Sequence, residues 1–239
     1  MTLDKSPQWG FLEIIMVYLG IIFSSIVYAM WGDEIAEILV NLRLPDNDFT
    51  MFIIAFLIQF FFTVILVYFF TVVTNKATAR EIGFVVASGD DFLRYGVGGG
   101  ILLLTIVFIM SIPIGYLNPQ LEPQLYEEML RSLTDDSTLF WLIITGVVLA
   151  PLSEEMFYRG MIYPVFRRYL SLPWAMAVSG IIFGLAHFDL WRALPLAVGG
   201  AGLCYIYEKT RSILVTAVAH GVWNLIMTLM VIYSINALV

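Results

Sequence analysis

Long apolar runs separated by short polar connectors dominate this chain. Four of them approach the length of a transmembrane helix, which needs about 20 apolar residues to cross roughly 30 Å of hydrocarbon. Shorter runs follow toward the C-terminus. The predicted spans are 9–30, 50–73, 96–117, 138–158, 174–190, 193–207 and 212–236. The pattern therefore predicts an all-α bundle of about seven transmembrane helices, or eight if one acidic connector enters the bilayer.

The composition supports a membrane environment. Hydrophobic residues make up 60% of the 239 residues and charged residues only 13%, whereas soluble domains are about half apolar and about a quarter charged. The carboxylates behind the net charge of −7 cluster in short connectors, and the basic footprint of a nucleic-acid-binding protein is absent. A single cysteine, Cys204, excludes a disulfide framework. Because no small-residue cleavage pattern follows the first apolar run, we interpret it as a span.

The basic residues predict an orientation, because cytoplasmic loops collect Lys and Arg. With a cytoplasmic N-terminus, nine of the 12 basic residues, Lys5 and Arg159 among them, fall on the cytoplasmic side. The remaining three, Arg43, Arg131 and Arg192, fall on the outer side. We therefore expect a multi-pass protein of the cell membrane, surrounded by lipid, with its N-terminus in the cytoplasm.

Charged residues interrupt the fourth predicted span. A charge at the centre of a membrane helix costs about 2.5–3.5 kcal/mol on insertion scales, so such residues are usually paired or functional. Glu155 and Arg159 lie four residues apart and can pair on one helix face. Glu154 points about 100° away and has no partner in the same helix, which leaves its carboxylate available as a general base. The alternative is that these charges only mark the cytoplasmic end of the span.

Both histidines of the chain, His187 and His220, lie within apolar segments rather than in loops. Asn224 follows His220 by one helical turn, so the two side chains share a face. An imidazole and an amide side by side can donate hydrogen bonds to the oxyanion that forms when water attacks a peptide carbonyl. The alternative is a structural role, in which these groups bond neighbouring helices to one another.

Three motifs follow one another on successive apolar segments: Glu-Glu-x-x-x-Arg from Glu154 to Arg159, Phe-x-x-x-His from Phe183 to His187, and His-x-x-x-Asn from His220 to Asn224. Together they resemble the CPBP intramembrane proteases, which comprise the CAAX prenyl endopeptidases and their bacteriocin-processing and immunity relatives, the Abi group. The resemblance covers about 140–226. We therefore expect 1–135 to form N-terminal transmembrane helices, matched only in being apolar, and 136–239 to form the catalytic core of the same single domain.

The resemblance implies an endopeptidase that cleaves a membrane-associated protein or peptide, prenylated for some family members, which reaches the site from the cytoplasmic side. It implies six catalytic residues: Glu154, Glu155, Arg159, His187, His220 and Asn224. Glu154 and His187 would hold and activate the nucleophilic water. His220 and Asn224 would stabilise the oxyanion. The resemblance does not indicate the oligomeric state.

A metal is an alternative to this metal-free arrangement. Glu154, His187 and His220 form a His₂Glu set of the kind that binds catalytic zinc and leaves one position for water. The two histidines lie on different predicted helices, however, and the His-Glu-x-x-His signature is missing. We therefore expect no cofactor, and a divalent metal such as zinc is the second interpretation.

Two functions other than catalysis also fit charged groups within a membrane. A proton- or ion-coupled transporter could use Glu154, His187 and His220 as a relay. A catalytically idle scaffold or immunity protein could use them to bind a membrane partner. Transporters of the first kind usually contain repeated halves, and no repeat is visible in this sequence. A scaffold has no need of reactive-type polar residues on three spans, so the protease is favoured.

Overall fold

The computed structural model describes residues 7–43, 45, 47–132 and 136–236. These residues form helices and connectors without any strand, so the predicted all-α class is confirmed. Lys5, which contributed to the predicted orientation, lies outside the described residues.

The helices are numbered in chain order. They are α1 Phe11–Met30, α2 Gly32–Asn41, α3 Asp48–Tyr68, α4 Gly89–Asp91, α5 Gly99–Leu117, α6 Leu125–Arg131, α7 Asp136–Ile143, α8 Ala150–Phe157, α9 Tyr163–Tyr169, α10 Leu172–Leu185, α11 Leu190–Thr210 and α12 Ile213–Asn236. Several are continued or joined by π-helical segments, which are Phe69–Thr74, Phe92–Gly98, Ile144–Leu149 and Tyr158–Ile162.

Five helical stretches among the described residues are long and apolar enough to cross a membrane. They are Phe11–Met30, Asp48–Thr74, Gly89–Leu117, Ser137–Tyr169 and Ile213–Ser234. They overlap five of the predicted spans, and two of them, Gly89–Leu117 and Ser137–Tyr169, are longer than predicted. The protein is an integral membrane protein. The two remaining predicted spans correspond to α10 and α11. With 14 residues, α10 is about 21 Å long and by itself falls short of the hydrocarbon thickness.

Small residues bring α10 and α11 into direct backbone contact. A Cβ atom added at Gly180 would lie 2.3 Å from the carbonyl oxygen of Ala197, and one at Gly184 would lie 2.3 Å from that of Ala193. Membrane helices pack closely through such small residues because lipid supplies no hydrophobic drive between helices. The resulting hairpin also packs against α12 and α5, and it carries His187 at its turn.

We expect Gly180→Ala to destabilise the protein by about 1–3 kcal/mol, because the added methyl group must push two helix backbones apart. Gly115→Ala is the matched control, since a Cβ at this helical position meets nothing within 4 Å. That change should be neutral or stabilise by up to about 1 kcal/mol through helix propensity. Thermal unfolding of both variants in detergent checks the prediction. Equal losses in the two would contradict it.

Candidate active site

A fully buried ion pair lies at the centre of the candidate site. Arg159 Nη1 and Glu155 Oε1 are 2.7 Å apart, and both side chains are 0% exposed. The other terminal nitrogen of Arg159 donates a hydrogen bond of 2.8 Å to the carbonyl oxygen of Gly200 on α11. The guanidinium carbon lies 4.9 Å from the centre of the Phe183 ring. The pair expected from the four-residue spacing is therefore present, and it lies within the protein rather than at a solvated helix end.

His220 on α12 completes a polar chain that begins at Arg159. Its Nδ1 lies 2.9 Å from Glu155 Oε1. Because an ionised carboxylate can only accept hydrogen bonds, Nδ1 carries the proton of this contact. The opposite nitrogen, Nε2, faces Glu154 with 4.0 Å to Oε2. Glu155 therefore holds the imidazole ring, and the ring presents its second nitrogen to the other carboxylate of the motif.

Glu154 differs from Glu155 in its environment. Its side chain is 33% exposed, against 0% for Glu155, and it lies on the wall of a cavity. Its Oε2 atom is buried, and the described residues provide no hydrogen-bond donor for it. A carboxylate oxygen in this position can accept a hydrogen bond from a water molecule or a substrate. A general base needs an oxygen that can accept in this way, and the role of Glu154 as that base stays a prediction.

His187 lies in the turn between α10 and α11, not within a span as predicted. The helix ends at Leu185, and Phe188 adopts a left-handed conformation with φ of 53°, which a continuing α-helix does not allow. The Nδ1 atom of His187 lies 2.8 Å from the carbonyl oxygen of Phe183. Because a carbonyl oxygen only accepts, this nitrogen donates, and the neutral ring keeps a lone pair on Nε2.

The Phe183 ring connects the two histidines. Its centre lies 4.9 Å from the ring centre of His187 and 5.7 Å from that of His220. Phe183 is 1% exposed, so both imidazoles contact a ring that belongs to the packed interior. The Phe-x-x-x-His spacing thus places an aromatic ring one helical turn before the histidine that it supports.

Asn224 lies one turn after His220 on α12, as expected. Its Nδ2 atom donates a hydrogen bond of 2.8 Å to the carbonyl oxygen of Gly146. Gly146 belongs to the π-helical segment before α8. An amide nitrogen carries two hydrogens, so this contact orients the side chain and leaves one donor for another acceptor.

A cavity of about 850 Å³ brings these groups together. Four of the six predicted residues line it: Glu154, His187, His220 and Asn224. The buried pair of Glu155 and Arg159 lies behind them. Apolar side chains form much of the remaining wall: Phe52, Phe56, Phe60, Phe108 and Met227. An apolar cleft of this size with a few convergent polar groups is typical of a ligand-binding site.

Three tyrosines line the cavity, Tyr18, Tyr126 and Tyr158, and none of them was predicted from the sequence as a site residue. The hydroxyl of Tyr18 donates to that of Tyr158 at 3.4 Å, and both residues line the cavity. Tyr158 follows Glu154 by four residues, so its position on the same helix face was available as a signal. Tyr18 belongs to α1, and nothing local distinguishes it from other residues of an apolar span. Residues from 1–135 therefore contribute directly to the cavity.

The predicted metal ligands do not form a compact set. Among the residues that the structure describes, no three His, Cys, Asp or Glu side chains gather closely enough to hold a metal ion. Within the proposed ligand set of Glu154, His187 and His220, the carboxylate of Glu154 lies 4.0 Å from Nε2 of His220. The arrangement does not fit a three-ligand zinc site, and we derive no catalytic step through a metal.

Comparisons with known proteins identify similarity over part of the chain. A family model described as type II CAAX prenyl endopeptidase Rce1-like matches residues 136–226. A protein of Bacillus subtilis (strain 168) named "Putative membrane peptidase YdiL" is 28% identical over 89 residues, which cover 37% of this chain and 36% of the relative. The matched part thus spans about a third of that relative's length. No solved structure matches significantly. The resemblance to CAAX-type proteases is confirmed for 136–226, which contains all six predicted residues.

Proposed function

We propose that this protein is an intramembrane endopeptidase of the CAAX-protease type, located in the cell membrane. Its substrate is a membrane-associated peptide or protein. The match of 136–226 to a protease family supports this proposal. The observation that carries it is the approach of Glu154 Oε2 to His220 Nε2 at 4.0 Å on a cavity wall, with the ring held from behind by a buried ion pair.

In the proposed reaction, Glu154 is the general base. A water molecule donates a hydrogen bond to its carboxylate and transfers a proton to it while the water oxygen attacks the peptide carbonyl carbon. His187 orients this water through the lone pair on Nε2, because its Nδ1 is occupied by the Phe183 carbonyl. Glu154 then passes the proton to the leaving amine, which breaks the peptide bond.

The developing oxyanion needs hydrogen-bond donors. His220 supplies one from Nε2 when the ring is protonated, and Asn224 supplies the amide hydrogen that Gly146 does not use. A protonated His220 also balances the charge of the cluster, because two carboxylates then face two cations, Arg159 and the imidazolium. Buried charges are tolerated where they are paired in this way.

Cleavage of a fluorogenic membrane peptide by the purified protein in lipid vesicles tests the proposed function. We expect the wild-type protein to release the fluorophore, with prenylated and unprenylated peptides compared side by side. A chelator-treated sample, shown by elemental analysis to lack zinc, is expected to keep its activity, because no three of the described carboxylate and imidazole groups lie close enough together to hold a metal ion. Activity that disappears on metal removal and returns with zinc would contradict the metal-free mechanism. Failure to cleave any of the peptides would contradict the protease.

A further inference from the structure

One end of the helix bundle carries most of the basic residues. The backbone nitrogen of Ile213 donates to the carbonyl oxygen of Gly83 at 2.9 Å, and the Trp9 indole donates to that of Met161 at 2.9 Å. Together with the close approach of Gly160 to the carbonyl oxygen of Ile82, these contacts place the starts of α1 and α12, the connector before α4 and the segment leading to α9 at the same end. The described basic residues there are Lys76, Arg80, Arg94, Arg167, Arg168, Lys209 and Arg211. We call this the basic end.

The opposite end has few basic residues. Arg43, Arg131 and Arg192 lie there, after α2, at the end of α6 and at the start of α11, respectively. The sequence predicts Arg159 on the cytoplasmic side, but this residue is buried in the candidate site and does not contribute to either surface. Without it, and without Lys5, the described basic residues still favour the basic end by seven to three. The positive-inside rule therefore assigns the basic end to the cytoplasm.

Packed side chains close the candidate site toward the basic end. Met161, Ile162, Tyr163 and Ile213 are each 0% exposed, and Tyr207 is 2% exposed. Backbone contact tightens this layer further, since a Cβ at Gly160 would lie 2.9 Å from the carbonyl oxygen of Ile82. None of these residues lines the cavity. A polypeptide cannot reach Glu154 from the basic end without disrupting this layer.

The cavity extends instead toward the opposite end. Along α12 its lining runs from His220 to Val231, a distance of about 17 Å at 1.5 Å per residue. Along α5 the lining runs from Val107 to Gly115 and continues to Asn118, and along α3 it reaches back to Phe52. The connector before α6 contributes Gln124 to the wall. Each of these helices therefore leads from the polar groups to the end that has few basic residues.

We propose that the catalytic cavity opens on the non-cytoplasmic side of the membrane, and that the substrate is a membrane-associated segment whose scissile bond enters from that side. Its apolar residues would lie against the aromatic side chains of α3 and α5, because these form the wall between the mouth and Glu154. The part of this inference that concerns catalysis rests on the proposed function. The part that concerns the side of the membrane rests on the distribution of basic residues between the two ends. It reverses the cytoplasmic access that the family resemblance implied.

Labelling of single cysteines in intact cells tests the sidedness. The native Cys204 is buried, so the wild-type protein should give little background. Glu34→Cys lies exposed on α2 at the opposite end, and Arg168→Cys lies exposed on α9 at the basic end. With a membrane-impermeant maleimide, we expect at least tenfold more labelling of Glu34→Cys, and labelling of Arg168→Cys only after permeabilisation. The reverse pattern overturns the inference.

Cleavage assays separate this inference from the proposed function. In detergent micelles both faces are open, so cleavage of the fluorogenic peptide there depends only on the active site. In intact right-side-out vesicles with peptide added outside, we expect cleavage at a rate within about threefold of the rate measured after detergent opens the same vesicles. In intact inside-out vesicles we expect little cleavage until detergent is added. Cleavage in micelles but only in inside-out vesicles overturns the sidedness alone. Absence of cleavage in all preparations overturns the protease, and the labelling result still decides the orientation.

Discussion

Replacing Glu154 by glutamine is expected to lower the rate of peptide cleavage by about 10²–10⁴-fold, the usual contribution of a general base. The amide has nearly the same shape as the carboxylate but cannot accept a proton from water. Packing should change little, because the side chain is 33% exposed and its Oε2 accepts no hydrogen bond from the described residues. The measurement is the initial rate with the fluorogenic peptide in vesicles, together with the thermal unfolding midpoint.

The control for this substitution is Glu128→Gln. Glu128 is exposed on α6 and does not line the large cavity, so the same chemical change there should keep the wild-type rate. A wild-type rate for Glu154→Gln would remove Glu154 from the proposed chemistry. A rate loss that is accompanied by a lower unfolding midpoint would show a structural role instead.

The largest effect on stability is expected from Arg159→Met. This change leaves Glu155 fully buried without its cation, and loss of one partner of a buried ion pair costs about 3–5 kcal/mol. For a chain of this size, such a loss lowers the unfolding midpoint by roughly 10 °C. Thermal unfolding in detergent measures it directly. Activity should fall as well, because Glu155 also positions the ring of His220.

Two further variants distinguish a buried charge effect from a general effect of removing arginine. Arg168→Met alters an exposed residue of α9 and should change stability by no more than about 0.5 kcal/mol. In the double variant Glu155→Gln with Arg159→Met, both charges are gone, so part of the lost stability should return. Cleavage should remain low, because His220 has lost its ionised partner. Equal destabilisation by Arg159→Met and Arg168→Met would contradict the buried pair.

The helices of this protein could be predicted from the sequence with small errors. The first, third and last predicted spans were 9–30, 96–117 and 212–236, and the structure has α1 at Phe11–Met30, α5 at Gly99–Leu117 and α12 at Ile213–Asn236. The reason is physical: in lipid each helix must satisfy its own backbone hydrogen bonds. An apolar run of sufficient length therefore specifies a helix without reference to the rest of the chain.

Polar contacts within one helix could also be predicted, because the helical repeat fixes which side chains share a face. The pair of Glu155 and Arg159 follows from a four-residue spacing on one helix, and Asn224 follows His220 by one turn as expected. The position of His187 was predicted less well. The apolar run continues through it, whereas the backbone turns at Phe188 with φ of 53°. Hydropathy alone does not distinguish an apolar turn between two helices from a helix that continues.

By itself, the sequence determined the helical class, the approximate spans, the buried pair within α8 and the adjoining π-helical segment, and six candidate site residues. Only the tertiary structure decided which of these groups meet. The bond between His220 and Glu155 joins residues 65 apart, and Arg159 reaches a carbonyl 41 residues away. Tyr18, the closed basic end and the direction of the cavity are also tertiary features. They depend on how the helices rotate and approach one another at glycine contacts, and no periodicity within a single helix encodes that arrangement.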